Sequence, residues 1–248
     1  MQNFITGLQF LTRIRVVGQS EWNPESFGRS VKFFPLVGGV IGVILVALNY
    51  IVDGYLPVLG VYLPPHVLAT LLTAMPILIT GGLHCDGFMD TMDGLFSGRS
   101  RERMLEIMKD SRVGANGVTA FVLLLLLKWS LIVDIAPTLL PLALFSMPVL
   151  GRLAMVVAIT IFPYARPEGM GKAFAQNAGK TSLLIALFFA MLLIVPLGLQ
   201  AILSGAAVII FTLLFARYVT SILGGLTGDI YGAITEITEI LVLTFFLF

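Results

Sequence analysis

"VLLLLLKWSLIV", residues 122–133, is an apolar run broken by a single lysine, and its length decides the fold. With its flank it reads Val118–Val133, close to the roughly 20 apolar residues that a bilayer core of about 30 Å requires. Comparable runs recur along the chain at Val31–Asp53, Val67–Gly82, Leu139–Phe162, Ser182–Leu199, Gly205–Leu223 and Ile230–Phe248. Hydrophobic residues make up 58% of the sequence, charged residues only 12%, and the mean hydropathy is +0.99. That composition excludes a soluble globular domain. The expected fold is an all-α, polytopic membrane bundle of about seven transmembrane helices, with residues 1–248 forming one integral membrane domain.

Lys and Arg in the short loops set the orientation. Gly54–His66, Asp134–Thr138 and Gly198–Ser204 contain none, whereas Arg99, Arg101, Arg103, Lys109 and Arg112 share one loop. Arg166, Lys172 and Lys180 share another, and Arg13, Arg15, Arg29 and Lys32 precede the first span. The N-terminus and both long loops are therefore expected in the cytoplasm. Phe4–Val17, too short to span and without a cleavage site, reads as an amphipathic helix on the membrane surface. The lone Cys85 excludes an intramolecular disulfide and a cysteine-based zinc cluster. The lipid bilayer is an expected partner, nucleic acid is not, and a homo-oligomer is left open.

Against this background "HCDGFMDTMDG", residues 84–94, concentrates three aspartates. On a helix Asp86, Asp90 and Asp93 fall within roughly 60° of one another. Clustered carboxylates repel unless a cation or a hydrogen-bond network offsets them, and Mg²⁺ favours such oxygen ligands together with substrate phosphates. The plainer alternative is a solvated helix end at the membrane surface. Downstream, Arg101–Lys109 reads as a short cytoplasmic helix, followed by Asp110, Ser111 and Arg112 before Gly114. A carboxylate, a hydroxyl and a guanidinium at a helix exit suit a phosphate–metal group.

Ionisable residues inside apolar spans are functional candidates by default. Lys128, Arg152 and Arg217 are such bases, and Asp229, Glu236 and Glu239 share a stripe of the last span. They either line a wet cavity or pair as glue within the bundle, and Lys128 and Arg217 could instead snorkel to an interface. "GKAF" at Gly171 and "GKT" at Gly179 are not phosphate-binding P-loops, because Arg166 and Phe174 stand where the earlier glycine is required.

The segment "GGLHCDGFMDTMDGLFSGRSRERMLEIMKDSRVGANG" resembles the signature region of the cobalamin synthase family. "FLTRIRV", "FFPLVG", "PYARPEGMGKAF" and "GGLTGDIYGAITEITE" extend the resemblance along almost the whole chain. It implies an Mg²⁺-dependent transfer in which alpha-ribazole, or its 5′-phosphate, replaces GMP on adenosylcobinamide-GDP. The product is adenosylcobalamin or its 5′-phosphate. On this reading Asp86, Asp90, Asp93 and Asp110 hold metal, with Asp93 and Asp110 catalytic. His84, Arg99, Ser111, Arg112, Lys128, Arg152, Lys172, Asp229 and Glu236 then serve the substrates. A looser resemblance links the chain to CDP-alcohol phosphotransferases of lipid synthesis, but "DTMDGLFSGR" has Ser97 and an extra Gly98 where that signature has Ala and then Arg. A secondary transporter is the rival from another class, although no inverted repeat is visible.

Overall fold

The computed structural model describes residues 2–18 and 23–248. Helices α1 (Gln2–Leu11), α2 (Pro24–Ser30), α3 (Phe34–Asn49) and α4 (Pro65–Thr80) come first. They are followed by α5 (Leu83–Leu95), α6 (Arg101–Ile107), α7 (Ala115–Asp134) and α8 (Leu140–Ile161). Next come α9 (Met170–Asn177), α10 (Lys180–Ile194), α11 (Leu199–Leu223) and α12 (Gly228–Phe245). Among the described residues the only β-type pairing is an isolated bridge, Tyr164 to Leu226. The fold is the expected all-α membrane bundle.

Among the described residues five helical stretches are long and apolar enough to cross a membrane: Pro24–Leu59, Ala115–Asp134, Leu140–Ile161, Lys180–Leu197 and Leu199–Leu223. A sixth exists only if α4 and α5, bent by 92° at their junction, are taken together. The seventh apolar segment of the sequence is α12, whose Asp229, Glu236 and Glu239 set it apart from the other spans. Its acids are tolerated because it packs inside the bundle, against α5, α8 and α11, rather than against lipid. Helix α8 is the central post, buried over 89% of its most apolar stretch, whereas α10 is buried over only 17%. Leu184, Phe188 and Leu192 of α10 and Leu123, Leu126 and Leu127 of α7 are exposed, as lipid-facing side chains should be.

Two local features position the functional end. At "TGG" the backbone of Gly81 (φ +66°) and Gly82 (φ +75°) enters the left-handed region, which side-chain-bearing residues rarely adopt. That turn ends α4 and swings α5 away from it. Gly87 then lets α12 approach closely, since a Cβ there would lie 2.9 Å from the Asp229 backbone. The start of α12 is thereby laid across the acidic helix. The bridge adds a clamp: the Ala165 N–H donates to the Leu226 carbonyl at 2.8 Å, and the Leu226 N–H to the Pro163 carbonyl at 2.8 Å. It ties the loop after α8 to the loop before α12.

The N-terminal segment departs from expectation. The helix ends at Leu11 rather than Val17, stopped by Thr12, whose hydroxyl turns back to the Leu8 carbonyl at 2.6 Å. Arg13 and Arg15 therefore lie on irregular backbone, and the Arg13 N–H donates to the Ile79 carbonyl at 2.6 Å.

Candidate active site

The three aspartates of α5 have different fates. Asp93 is buried, and its two oxygens accept the N–H groups of Gly114 (2.7 Å) and Gly117 (2.8 Å). These are orphan donors at the start of α7, and the carboxylate satisfies them from a neighbouring helix. A Cβ at Gly114 or Gly117 would lie within 2.5 Å of the same carboxylate. The expectation of Asp93 as metal ligand and base is therefore revised: it tethers α5 to α7.

Asp86 is exposed and Asp90 half-buried, one helical turn apart. Around Asp90 gather Asp86, Asp93 and Asp229, with Arg166 as the opposing cation. The Asp229 carboxylate lies 2.6 Å from Arg166 and accepts the Thr227 hydroxyl at 3.1 Å. Carboxylates outnumber bases here, an imbalance that attracts cations.

The deeper ionisable residues form a closed network instead. Lys128 donates to Glu236 and to Glu239, each at 2.8 Å, and Arg152 donates to Glu239. The other arm of Arg152 faces His84 Nδ1 at 3.3 Å, and Cys85 Sγ lies 3.6 Å from Glu236. Lys128 and Arg152 are almost wholly buried, at 3% and 1% exposure. The expectation that Lys128, Arg152 and Glu236 contact substrate gives way to mutual pairing, because buried charges need partners more than access. Arg217, a suggested member of this network, is exposed on α11.

The residues after α6 stay outside. Arg112 donates to both oxygens of Asp110, from its terminal nitrogen at 2.6 Å and from Nε at 3.0 Å, in a pair outside the bundle whose guanidinium is exposed and whose carboxylate is partly so. The Arg112 hydrogen bonds hold the Asp110 carboxyl down at about 2. The catalytic and metal roles expected of Asp110 meet a carboxylate already engaged by its neighbour. Ser111 and Arg99 are exposed, and Lys172 donates to the Pro167 carbonyl.

Two cavities flank α5. One, of about 270 Å³, is lined by His84, Asp86, Tyr164, Arg166, Asp229 and Tyr231, with Phe10, Met155 and Phe174 as apolar walls. The other, of about 570 Å³, is lined by Gln9, Thr12, Arg13, Arg15, Thr80 and Asp86, among others. Sequence reasoning passed over Arg166, Tyr164, Tyr231, Arg13 and Arg15 as site residues. "PYARPEG" and "FLTRIRV" carried the signal for four of them, but their bases were counted only as orientation markers.

Comparison with known proteins completes the picture. Residues 3–247 match the family described as cobalamin-5-phosphate synthase. A protein of Desulfitobacterium hafniense named adenosylcobinamide-GDP ribazoletransferase is 40% identical over 250 residues, covering 98% of this chain and 95% of that protein. Proteins of the same name from Acetivibrio thermocellus (41% over 242 residues, 96% and 92% covered) and Fusobacterium nucleatum (34% over 273, 100% and 97%) are also similar. No solved structure matches. Matched nearly end to end, the chain belongs to the cobalamin-5-phosphate synthase family.

Proposed function

We propose that this protein joins alpha-ribazole, or its 5′-phosphate, to adenosylcobinamide-GDP, releasing GMP and forming adenosylcobalamin or its 5′-phosphate. The named relatives support the reaction. The observation that carries the site is the gathering of Asp86, Asp90, Asp229 and Arg166 beside a cavity where α5 and α12 cross. Mg²⁺ is the proposed cofactor. Among the described residues no three His, Cys, Asp or Glu side chains form a ready cage for a metal ion. Mg²⁺ does not need one: it commonly takes one or two carboxylates, keeps several waters and is completed by substrate phosphates. The exposed Asp86 and the half-buried Asp90 suit that donor set. When bound, the cation neutralises charge on the diphosphate and the departing GMP.

The protein's own groups do the rest. Asp229 holds Arg166 at the cavity wall, and the Arg166 guanidinium meets phosphate oxygens there. The ribazole 3′-hydroxyl oxygen bonds to the cobinamide-side phosphorus while the bond from that phosphorus to the bridging oxygen breaks. GMP leaves with the electron pair, and a carboxylate of the cluster takes the hydroxyl proton. Asp93 contributes by holding α5 against α7, and Asp110 stays with Arg112.

The bundle end that carries α5, α6 and the loop after α8 faces the cytoplasm in this reading, because it carries the basic loops. Cys85 is buried and cannot report this. A cysteine placed at Lys172 should react from the cytoplasmic side and one at Gly60 from the outside; cytoplasmic labelling at Gly60 would overturn the orientation. For the reaction itself, protein in liposomes should release GMP from the corrinoid substrate when ribazole is added. Chelation should stop release and Mg²⁺ restore it. Absence of GMP release sinks the reaction, and release that survives chelation sinks the cofactor.

A further inference from the structure

The two cavities beside α5 share only Phe10, Leu83 and Asp86, and their walls differ in kind. The smaller holds polar atoms without partners. His84 is 2% exposed and its Nε2 is unpartnered. A guanidinium can only donate, so the Arg152 contact makes Nδ1 the acceptor and leaves the hydrogen on Nε2. The hydroxyl of buried Tyr231 also lacks a partner. Buried donors left unsatisfied are costly, and their presence in a cavity wall points to a ligand that brings acceptors. Phe10, Phe174 and the paired rings of Tyr164 and Tyr231 (centroids 6.5 Å apart) supply aromatic surface. Donors among aromatic walls suit a nucleoside with a flat apolar base.

The larger cavity has the opposite character. Arg13 and Arg15 line it, and among the described residues neither has a carboxylate within ion-pair distance. Arg13 is held there by its backbone bond to Ile79 and by packing of its guanidinium on Gly81, where a Cβ would lie 2.0 Å from Nε. Two guanidinium groups without a carboxylate partner among the described residues, one of them on anchored backbone, suit phosphate oxygens.

We propose that these cavities are separate subsites that meet at Asp86: the smaller takes the acceptor nucleoside, and the larger takes the phosphates of the departing guanosine nucleotide. The irregular segment after α1 is then part of the substrate site rather than a membrane anchor alone. This assignment rests on the ribazoletransferase reading and gives its two substrates different walls.

The test is equilibrium binding of GMP and of alpha-ribazole, measured separately on the full chain in detergent with Mg²⁺ present. Arg13→Gln combined with Arg15→Gln should weaken GMP about tenfold and leave alpha-ribazole within about twofold. Tyr231→Phe, which removes one hydroxyl and keeps the ring, should do the reverse, weakening alpha-ribazole about fivefold. Unchanged GMP affinity in the double variant, a reversed pattern, or equal loss of both ligands in either variant overturns the proposal. A wild-type protein that binds both ligands with this pattern but never releases GMP would refute the reaction and leave the subsites standing.

Discussion

Helix α12 contributes to two groups of charge, and the two groups are built on opposite terms. In the bundle core, Lys128 and Arg152 face Glu236 and Glu239, two bases against two acids, with every member at most 8% exposed at the side chain. Where α12 crosses α5 at the bundle end, Asp86, Asp90 and Asp229 face Arg166, partly open to solvent. The first group is balanced in charge and buried, its acids and bases paired with one another. The second has an excess of carboxylate and two cavities beside it, so a cation or a substrate can complete it. Two charged groups on one helix can thus divide the labour, the inner holding the bundle and the outer meeting substrate.

Predictions that break or sharpen this comparison begin with the inner group. Glu239→Gln removes the acid shared by Lys128 and Arg152 and leaves buried cations short of partners. It should cost about 3–5 kcal/mol, read as a lower melting temperature in detergent together with lost turnover. A variant that melts with the wild type would show that the inner group is not structural.

For the outer group, Asp86→Asn and Asp90→Asn should each lower GMP release about a hundredfold or more, the scale of losing one group that stabilises transition-state charge. Melting temperatures should hardly move, because these carboxylates are partly open to solvent. Near-normal rates in both variants at saturating Mg²⁺ would remove the carboxylates from the chemistry.

Asp93 belongs to neither group and sharpens the line between them. Asp93→Ala deletes the cap on α7 and should cost about 1 kcal/mol, with turnover reduced only as far as α5 shifts. A hundredfold loss of rate without loss of stability would return Asp93 to the reacting atoms. The smallest effect is expected at Asp110, whose pairing with Arg112 lies outside the bundle and open to solvent on the arginine side. Asp110→Asn should melt and turn over like the wild type, and a rate loss comparable to that of Asp86→Asn would extend the outer group to the loop after α6.

How far each residue could be read from sequence followed from the range of its interactions. Apolar runs of about 20 residues disclose a membrane bundle because the requirement is local and set by bilayer thickness. Helical spacing likewise brought Asp86 and Asp90 together, and Glu236 beside Glu239. The same spacing could not separate Asp93 from its neighbours, since its partners, Gly114 and Gly117, lie on another helix. Arg166 reads as one more loop base until the Tyr164–Leu226 bridge brings it to Asp229.

Composition, apolar run length and basic-loop asymmetry by themselves determined the all-α membrane architecture and the richness in acids of residues 84–94. Only tertiary structure decided which acids are engaged and which are free. A carboxylate's role depends on the donors that reach it, and those donors come from α7, α8 and the loop before α9, far away in sequence. Close crossing at Gly87 and the turn at Gly81–Gly82 are what bring them within reach.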